Sequence, residues 1–157
     1  MRERSYMNTQ IIIRYIVAAL ILVPAGIFDL RKKKIPTALL IAPITVAAIW
    51  DTAVCVNGNV QIIELIFAVM PGVFLLLSSY ITGHKVGNGD GWVFILMGLL
   101  IGAPGAFMLL GLSLILCALA SGILLILHKA QKNSKIPFVP FVMAAFGGVV
   151  YAQILSL

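Results

Sequence analysis

Apolar segments long enough to cross a membrane follow one another along almost the whole chain, and this pattern constrains the fold more than any other feature. A transmembrane helix needs about 20 consecutive, mainly apolar residues. Of the 157 residues, 62% are hydrophobic and 10% are charged, whereas soluble domains are about half apolar and about a quarter charged. The sequence therefore predicts an all-α, polytopic membrane bundle in which residues 1–157 form a single integral-membrane domain.

The positions of the apolar runs predict six transmembrane helices. Their bounds are Ile11–Phe28, Thr37–Val54, Ile62–Ile81, Trp92–Ile101, Ala106–Leu127 and Ile136–Leu155. The fourth run is too short to cross a membrane, since ten helical residues rise only about 15 Å. We expect the preceding Gly-Asn-Gly-Asp stretch either to extend this helix or to form a re-entrant segment inside the bundle. The first run resembles a secretory signal, but Arg14 interrupts it and it continues to Phe28, so we expect a retained helix.

The net charge of +6 comes mainly from the short gaps between apolar runs. Loops 29–36, 82–91 and 128–135 contain eight Lys and Arg residues, whereas the opposite side of the predicted bundle contains three. Because cytoplasmic loops are enriched in Lys and Arg, we place these three loops in the cytoplasm and both termini outside. No aromatic residues accompany the basic clusters, so we expect membrane lipid and not nucleic acid as their partner. The predicted location is the inner, or cytoplasmic, membrane.

Two of the five acidic residues lie where a bilayer makes a charge expensive. Asp29 in "GIFDLRKKKIP" and Asp90 in "GNGDGWVF" each adjoin an apolar run at the predicted cytoplasmic end of a helix. Ionisable groups in such positions are candidates for function, and the first and fourth helices can bring these two face to face. Asp51 and Glu64 lie toward the outer ends of helices two and three, and we expect them to be interfacial anchors.

Each of these two aspartates also has a structural interpretation. Asp29 can form a salt bridge to the adjoining Arg31–Lys34 cluster, and Asp90 can be the N-cap of the fourth helix. However, three of the five residues in Gly87–Gly91 are glycines, which removes side chains around Asp90 and permits close approach. Two close carboxyl groups can share a proton, so that one activates a water and the other protonates the developing oxyanion. This is the chemistry of an aspartic protease.

The sequence contains no sign of other hydrolytic machinery. It has no HExxH zinc motif and no GxSxG elbow. His84 and His128 both lie in predicted cytoplasmic loops, and the two cysteines, Cys55 and Cys117, are too few for a disulfide framework or a zinc site. We therefore predict neither a metal nor a cofactor.

Three segments resemble the membrane-embedded aspartic peptidases that process type IV prepilins and archaeal preflagellins. "DLRKKKIPT" resembles the element of that family that carries the first aspartate, and "GNGD" resembles the Gly-x-Gly-Asp element that carries the second. "KIPFVPFVMAAFGG" is similar to the proline-phenylalanine segment before the last helix. The residues that carry the resemblance are Asp29, Ile35, Pro36, Gly87, Gly89, Asp90, Pro137 and Phe138.

The resemblance implies that Asp29 and Asp90 are catalytic and that the other motif residues support the site or contact substrate. It also implies a prepilin-like protein substrate, with a short basic leader before an apolar helix, cut at the cytoplasmic face of the membrane. The chain lacks the cysteine-rich loop of larger bacterial members that also methylate the product, so it looks like a short, peptidase-only member of the Tad type. Thr37 stands where the family often has Asn, and Trp92 where it often has Lys. These departures leave the substrate range open.

Two other classes of function are compatible with the same sequence. A small transporter subunit can use Asp29 and Asp90 to pass protons or cations. A non-catalytic assembly protein of a secretion system can use the glycines only for helix packing. The oligomeric state is left open.

Overall fold

The computed structural model describes residues 2–32, 37–56, 61–83, 87–127 and 137–156, and every regular element in these ranges is an α-helix. The elements are α1 (Arg2–Lys32), α2 (Thr37–Val56), α3 (Ile62–Ile81), α4 (Asn88–Ile126) and α5 (Val139–Ser156). The all-α prediction is confirmed. The helices extend beyond several predicted bounds, most of all in α1, which begins nine residues before Ile11.

Helix α4 consists of two limbs, residues 88–101 and 103–126, separated by Gly102. The backbone of Gly102 has φ 75° and ψ 171°, a conformation that only glycine adopts without strain. Pro104 follows and supplies no N–H to the helical ladder. A break is therefore present in the gap predicted between Ile101 and Ala106, but it is confined to Gly102. The first limb begins at Asn88 rather than Trp92, so the Gly-Asn-Gly-Asp stretch extends the helix and is not a re-entrant loop.

Among the described residues, three helical stretches are long and apolar enough to cross a membrane: Gln10–Arg31, Ile62–Ile81 and Asn88–Leu124. The six transmembrane helices therefore stay a prediction. Two shorter helical stretches, Leu40–Val56 and Val139–Leu155, are also apolar. Large apolar side chains cover the outside of these helices, in numbers that an aqueous surface does not tolerate. Examples on four of the helices are Leu20, Ile49, Phe74 and Ile154, each at least 60% exposed. The structure is thus compatible with a membrane protein.

The first limb of α4 lies at the centre of the bundle. Val93, Phe94, Leu96 and Met97 on this limb are almost completely buried. Around the limb lie α1, α2, α3 and α5, of which α3 makes the most extensive contact. Because the limb is central, the elements that meet at its N-terminal end determine what surrounds Asp90.

Small residues allow α3 and the first limb of α4 to approach closely. A Cβ atom at Gly98 would overlap the backbone carbonyl of Ala68, and one at Gly91 would lie 2.5 Å from Cγ of Leu76. Such small-residue contacts are typical of helix pairs in membranes, where backbones pack closely. The close contact fixes the axis of the limb that carries Asp90.

Candidate functional site

Asp29 lies on the core-facing side of α1, near its C-terminal end. It follows Leu22 and Ala25 on the buried face of the helix, at spacings of seven and four residues, and is itself only 7% exposed. The backbone N–H of Val139 donates a hydrogen bond of 3.0 Å to Oδ2 of Asp29. Val139 is the first residue of α5, and the first N–H groups of a helix have no partner within it. Asp29 therefore satisfies the N-terminus of a helix that lies 110 residues further along the chain.

Asp90 is the third residue of α4 and is 9% exposed. Its backbone N–H donates to the carbonyl oxygen of Gly87 at 3.1 Å, and the backbone N–H of Gly87 donates to the Asp90 carboxylate. Asp90 is thus inside the first helical turn, and the alternative prediction that it is the N-cap is wrong. Its side chain reaches back to the residue before the helix, an arrangement that also stabilises the helix start.

The structure brings Asp29 and Asp90 together at one end of the bundle, here called the acidic end. The acidic end consists of the C-terminal end of α1 and the N-terminal ends of α4 and α5. The two carboxylates are close enough for their charges to repel each other. Each is held by a backbone N–H, so each retains oxygen lone pairs for a water or for the other carboxyl group. Two buried carboxyl groups that approach within hydrogen-bond reach can share a proton and activate a water between them.

Pro137 and Phe138 lie directly before α5 and are partly buried. The ring of Phe138 stacks on the ring of Phe94, with centroids 6.2 Å apart and an interplanar angle of 29°. Phe94 is fully buried on α4, one helical turn after Asp90. The proline-phenylalanine segment therefore contacts the helix that carries Asp90, and it directly precedes the residue that holds Asp29.

The glycines near Asp90 have different surroundings. Gly87 is exposed, and a Cβ atom there would lie 2.9 Å from Oδ2 of Asp90, so its lack of a side chain makes room for the carboxylate. Gly89 is partly buried. Gly91 instead faces α3 and permits the close contact of the two helices. The predicted close approach of another segment is therefore present at Gly91, whereas the space for the carboxylate is provided by Gly87.

Several residues singled out in the sequence lie outside the described ranges. These are Ile35, Pro36, Lys33, Lys34, His84 and Lys85. Arg31 is described, is exposed and forms no ion pair with Asp29 within the described ranges. Trp92, which replaces the lysine of the family pattern, is partly buried and packs against the core.

The sequence does not predict a third buried carboxylate, which the structure shows. Asp51 is 8% exposed, and its Oδ1 lies 2.7 Å from a guanidinium nitrogen of Arg14. Arg14 also donates a hydrogen bond of 3.3 Å to the carbonyl oxygen of Leu99. The prediction that Asp51 is an interfacial anchor is therefore wrong, whereas Glu64 is exposed as expected. The sequence feature that could predict this ion pair is that Arg14 and Asp51 carry opposite charges at similar predicted depth in the membrane.

Two further contacts at the acidic end carry little signal in the sequence. Oγ of Ser79, fully buried on α3, donates a hydrogen bond of 2.5 Å to Oδ1 of Asn88, the first residue of α4. The second contact is the hydrogen bond of the Val139 N–H to Asp29, which involves a backbone group that every residue except proline possesses.

Within the described ranges, no three His, Cys, Asp or Glu side chains come together as metal ligands would. Comparisons with models of protein families, with curated proteins and with solved structures found no match for this chain. The relation to prepilin peptidases thus stays a prediction that depends on the motifs and on the placement of the two aspartates.

Proposed function

We propose that the chain is a membrane-embedded aspartic endopeptidase that removes the leader from prepilin-like precursors. The observation that carries this proposal is the burial of Asp29 and Asp90 at the same end of the bundle, where the charge of Asp29 acts on Asp90, although the two lie 61 residues apart in the sequence. Buried carboxylates are expensive, and two that repel each other are more so. A bundle that required only stability would gain by replacing one of them.

In the proposed reaction, one carboxyl group of the pair is ionised and the other is protonated. The ionised group takes a proton from a water molecule, whose oxygen attacks the carbonyl carbon of the peptide bond. The protonated group gives its proton to the carbonyl oxygen, forming a gem-diol. The group that is now protonated gives its proton to the amide nitrogen while the other takes a proton from a hydroxyl of the gem-diol, and the C–N bond breaks to yield a new carboxyl group and a new amine. The pair ends with one proton, ready for another turnover.

The proposed substrate follows from the position of the acidic end. We place this end at the cytoplasmic face, in a six-helix topology that counts the two limbs of α4 as separate spans and puts eight Lys and Arg residues in cytoplasmic loops. The substrate is then a single-helix precursor whose basic leader stays in the cytoplasm and whose apolar helix enters the bilayer. A cut at the cytoplasmic boundary separates the two parts.

The test is co-expression with a prepilin-like precursor, scored by loss of the leader on a gel. Asp29→Asn and Asp90→Asn are each expected to slow cleavage by about 100- to 10,000-fold, the usual contribution of a general acid or base. Asp51→Asn is the matched control, because Asp51 is equally buried, with 8% of its surface exposed, but lies on α2 beside Arg14, about 22 Å along α1 from Asp29. Glu64→Gln is a control for an exposed carboxylate. Each variant is compared at equal amounts of folded protein in the membrane.

Two structural observations favour a different class of function. The pairing of Asp90 with Gly87 and the packing of Gly91 against α3 both have purely structural uses, as expected of a non-catalytic assembly protein. That alternative predicts normal leader removal in Asp29→Asn and Asp90→Asn cells. Such a result would rule out the peptidase proposal at these residues.

A further inference from the structure

The carboxylate of Asp29 is held by another helix and not by its own. The donor of its 3.0 Å hydrogen bond is the Val139 N–H at the start of α5, and the contact is buried. A movement of the α5 N-terminus therefore moves the hydrogen-bond donor that orients this carboxylate. The position of Asp29 relative to Asp90 depends on how α5 is attached to α4.

Two aromatic rings contribute to that attachment at the start of α5. Phe138 directly precedes Val139, and its ring stacks on Phe94 of α4 at 6.2 Å. Phe94 lies four residues after Asp90, which places both side chains on the same face of the helix, one turn apart. Because Phe94 is fully buried in the core, it gives Phe138 a fixed surface to pack against.

We propose that Phe94, Phe138 and the Val139 N–H form a positioning unit that sets the separation of the Asp29 and Asp90 carboxylates. We call this unit the aromatic brace. The inference rests on the proposed peptidase function and assigns Phe94 and Phe138 as positioning residues that do not touch the reacting atoms. Sharing of a proton depends steeply on the distance between two carboxyl groups, and a misplacement of about 1 Å in an active site can lower the rate about 100-fold.

The first test compares aromatic pairs of the same geometry at two places in the bundle. The Tyr15–Phe146 pair joins α1 to α5, with ring centroids 5.9 Å apart and an interplanar angle of 30°. Tyr15 lies about 21 Å along α1 from Asp29. Phe146→Leu therefore removes a buried ring with similar stacking geometry and leaves the residues of the brace unchanged. Phe94→Leu and Phe138→Leu are expected to lower kcat at least tenfold, with KM changed less than about twofold, and to shift the pH profile of kcat.

Phe146→Leu is expected to keep both kcat and the pH profile of the unaltered protein. The inference is overturned if the three leucine variants lose the same share of activity, because the rings then serve only stability. It is also overturned if the brace variants change KM alone, because the rings then bind substrate.

The second test removes the hydrogen bond and leaves the helix start intact. Proline is well tolerated at the first position of a helix, so Val139→Pro deletes the N–H donor without breaking α5. Val139→Ala, the control, shortens the same buried side chain and keeps the N–H. We expect Val139→Pro to lower kcat at least tenfold below that of Val139→Ala. Equal activity of the two variants would contradict the assigned role of this hydrogen bond.

A readout that does not need cleavage separates this inference from the proposed function. A carbodiimide reacts with buried protonated carboxyl groups, and mass spectrometry of the purified protein gives the pH midpoint of labelling at Asp29 and at Asp90. The midpoints are expected to differ from those of the unaltered protein in Phe94→Leu and Phe138→Leu, and to be unchanged in Phe146→Leu. If the unaltered protein cleaves no precursor, the peptidase proposal fails while labelling still tests the brace. If the protein cleaves but all three variants label alike, the brace alone fails.

Discussion

The bundle buries acidic side chains at two levels along α1, one beside Arg14 and one beside Asp29, and it holds them in different ways. At one level, here called the Arg14 end, Oδ1 of Asp51 lies 2.7 Å from a guanidinium nitrogen of Arg14. At the acidic end, about 22 Å away along α1, Asp29 and Asp90 are held by backbone N–H groups. Within the described ranges neither of these two carboxylates forms an ion pair.

The difference shows that burial alone does not distinguish a functional acid from a structural one. The three carboxylates are exposed to nearly the same small extent, between 7% and 9%. The partner distinguishes them, because a guanidinium compensates the charge of Asp51 and ties α1 to α2 and, through the Leu99 carbonyl, to α4. The Arg14 end therefore contributes to holding the bundle together, whereas the acidic end keeps two buried carboxylates that have no ion-pair partner within the described ranges, at a cost in stability.

The largest effect that would sharpen this comparison is expected from Arg14→Met. The substitution keeps much of the side-chain volume but leaves Asp51 buried without its cation. Removing one partner of a buried ion pair typically costs 3–5 kcal/mol, and because Arg14 is 30% exposed we expect the lower limit, about 3 kcal/mol. The measurement is the free energy of unfolding in detergent micelles, with leader cleavage per folded molecule as the second readout.

The double variant Arg14→Met/Asp51→Leu is the control for this prediction. It removes both charges, and we expect it to recover most of the lost free energy of unfolding because no buried charge is left unpaired. Both variants should keep the cleavage rate, since neither changes the acidic end. A loss of cleavage larger than the loss of folded protein would show that the two ends are coupled and would break the comparison.

A smaller effect is expected from adding a methyl group where α3 and α4 meet. At Gly98, next to the Arg14 end, the new Cβ would overlap the backbone carbonyl of Ala68, which cannot move alone. We expect Gly98→Ala to lower the free energy of unfolding by about 2 kcal/mol. Gly91→Ala, at the acidic end, meets mainly the flexible side chain of Leu76 and should cost about half as much.

Gly111→Ala serves as the control for both glycine variants. Nothing lies within 4 Å of a Cβ atom at Gly111, so only the helix propensity changes, and stability should stay equal or rise slightly. If Gly91→Ala costs more than Gly98→Ala, the acidic end is packed more rigidly than the structure indicates.

The sequence predicts those parts of the fold that depend on hydrophobicity and on neighbouring residues in the chain. Apolar runs require helices in a membrane. A Gly-Ala-Pro-Gly sequence disfavours a regular helix, so a break near Gly102 could be predicted from the local sequence alone. The sequence also indicates Asp29 and Asp90, because a charged residue beside an apolar run is costly in a bilayer. None of these inferences needs to know which helices are neighbours.

What the sequence did not predict depends on which helices are neighbours. Asp51 and Glu64 looked alike in the sequence, yet α1 brings Arg14 to Asp51, whereas Glu64 remains exposed. Gly91 was assigned to the surroundings of Asp90 because it is adjacent in sequence, but it faces α3. The partner of Asp29 is a backbone N–H, and such a group has no identifying side chain. These three outcomes follow from tertiary contacts, which periodicity does not encode.

The smallest effect is expected from Ser79→Ala, which tests whether the acidic end is also braced from α3. The variant removes the 2.5 Å hydrogen bond to Asn88, two residues before Asp90, and should lower the free energy of unfolding by about 1 kcal/mol. Ser78→Ala is the matched control in the same helical turn, since Oγ of Ser78 bonds only to the carbonyl of Phe74 in its own helix. Its cost should be close to zero because that bond is local and exposed.

We expect leader cleavage to slow a few-fold in Ser79→Ala alone. The first turn of α4 then loses its hydrogen bond to α3, while both carboxylates keep their N–H donors. Equal cleavage rates in the two variants would mean that α3 fixes the axis of α4 only through its glycine contacts.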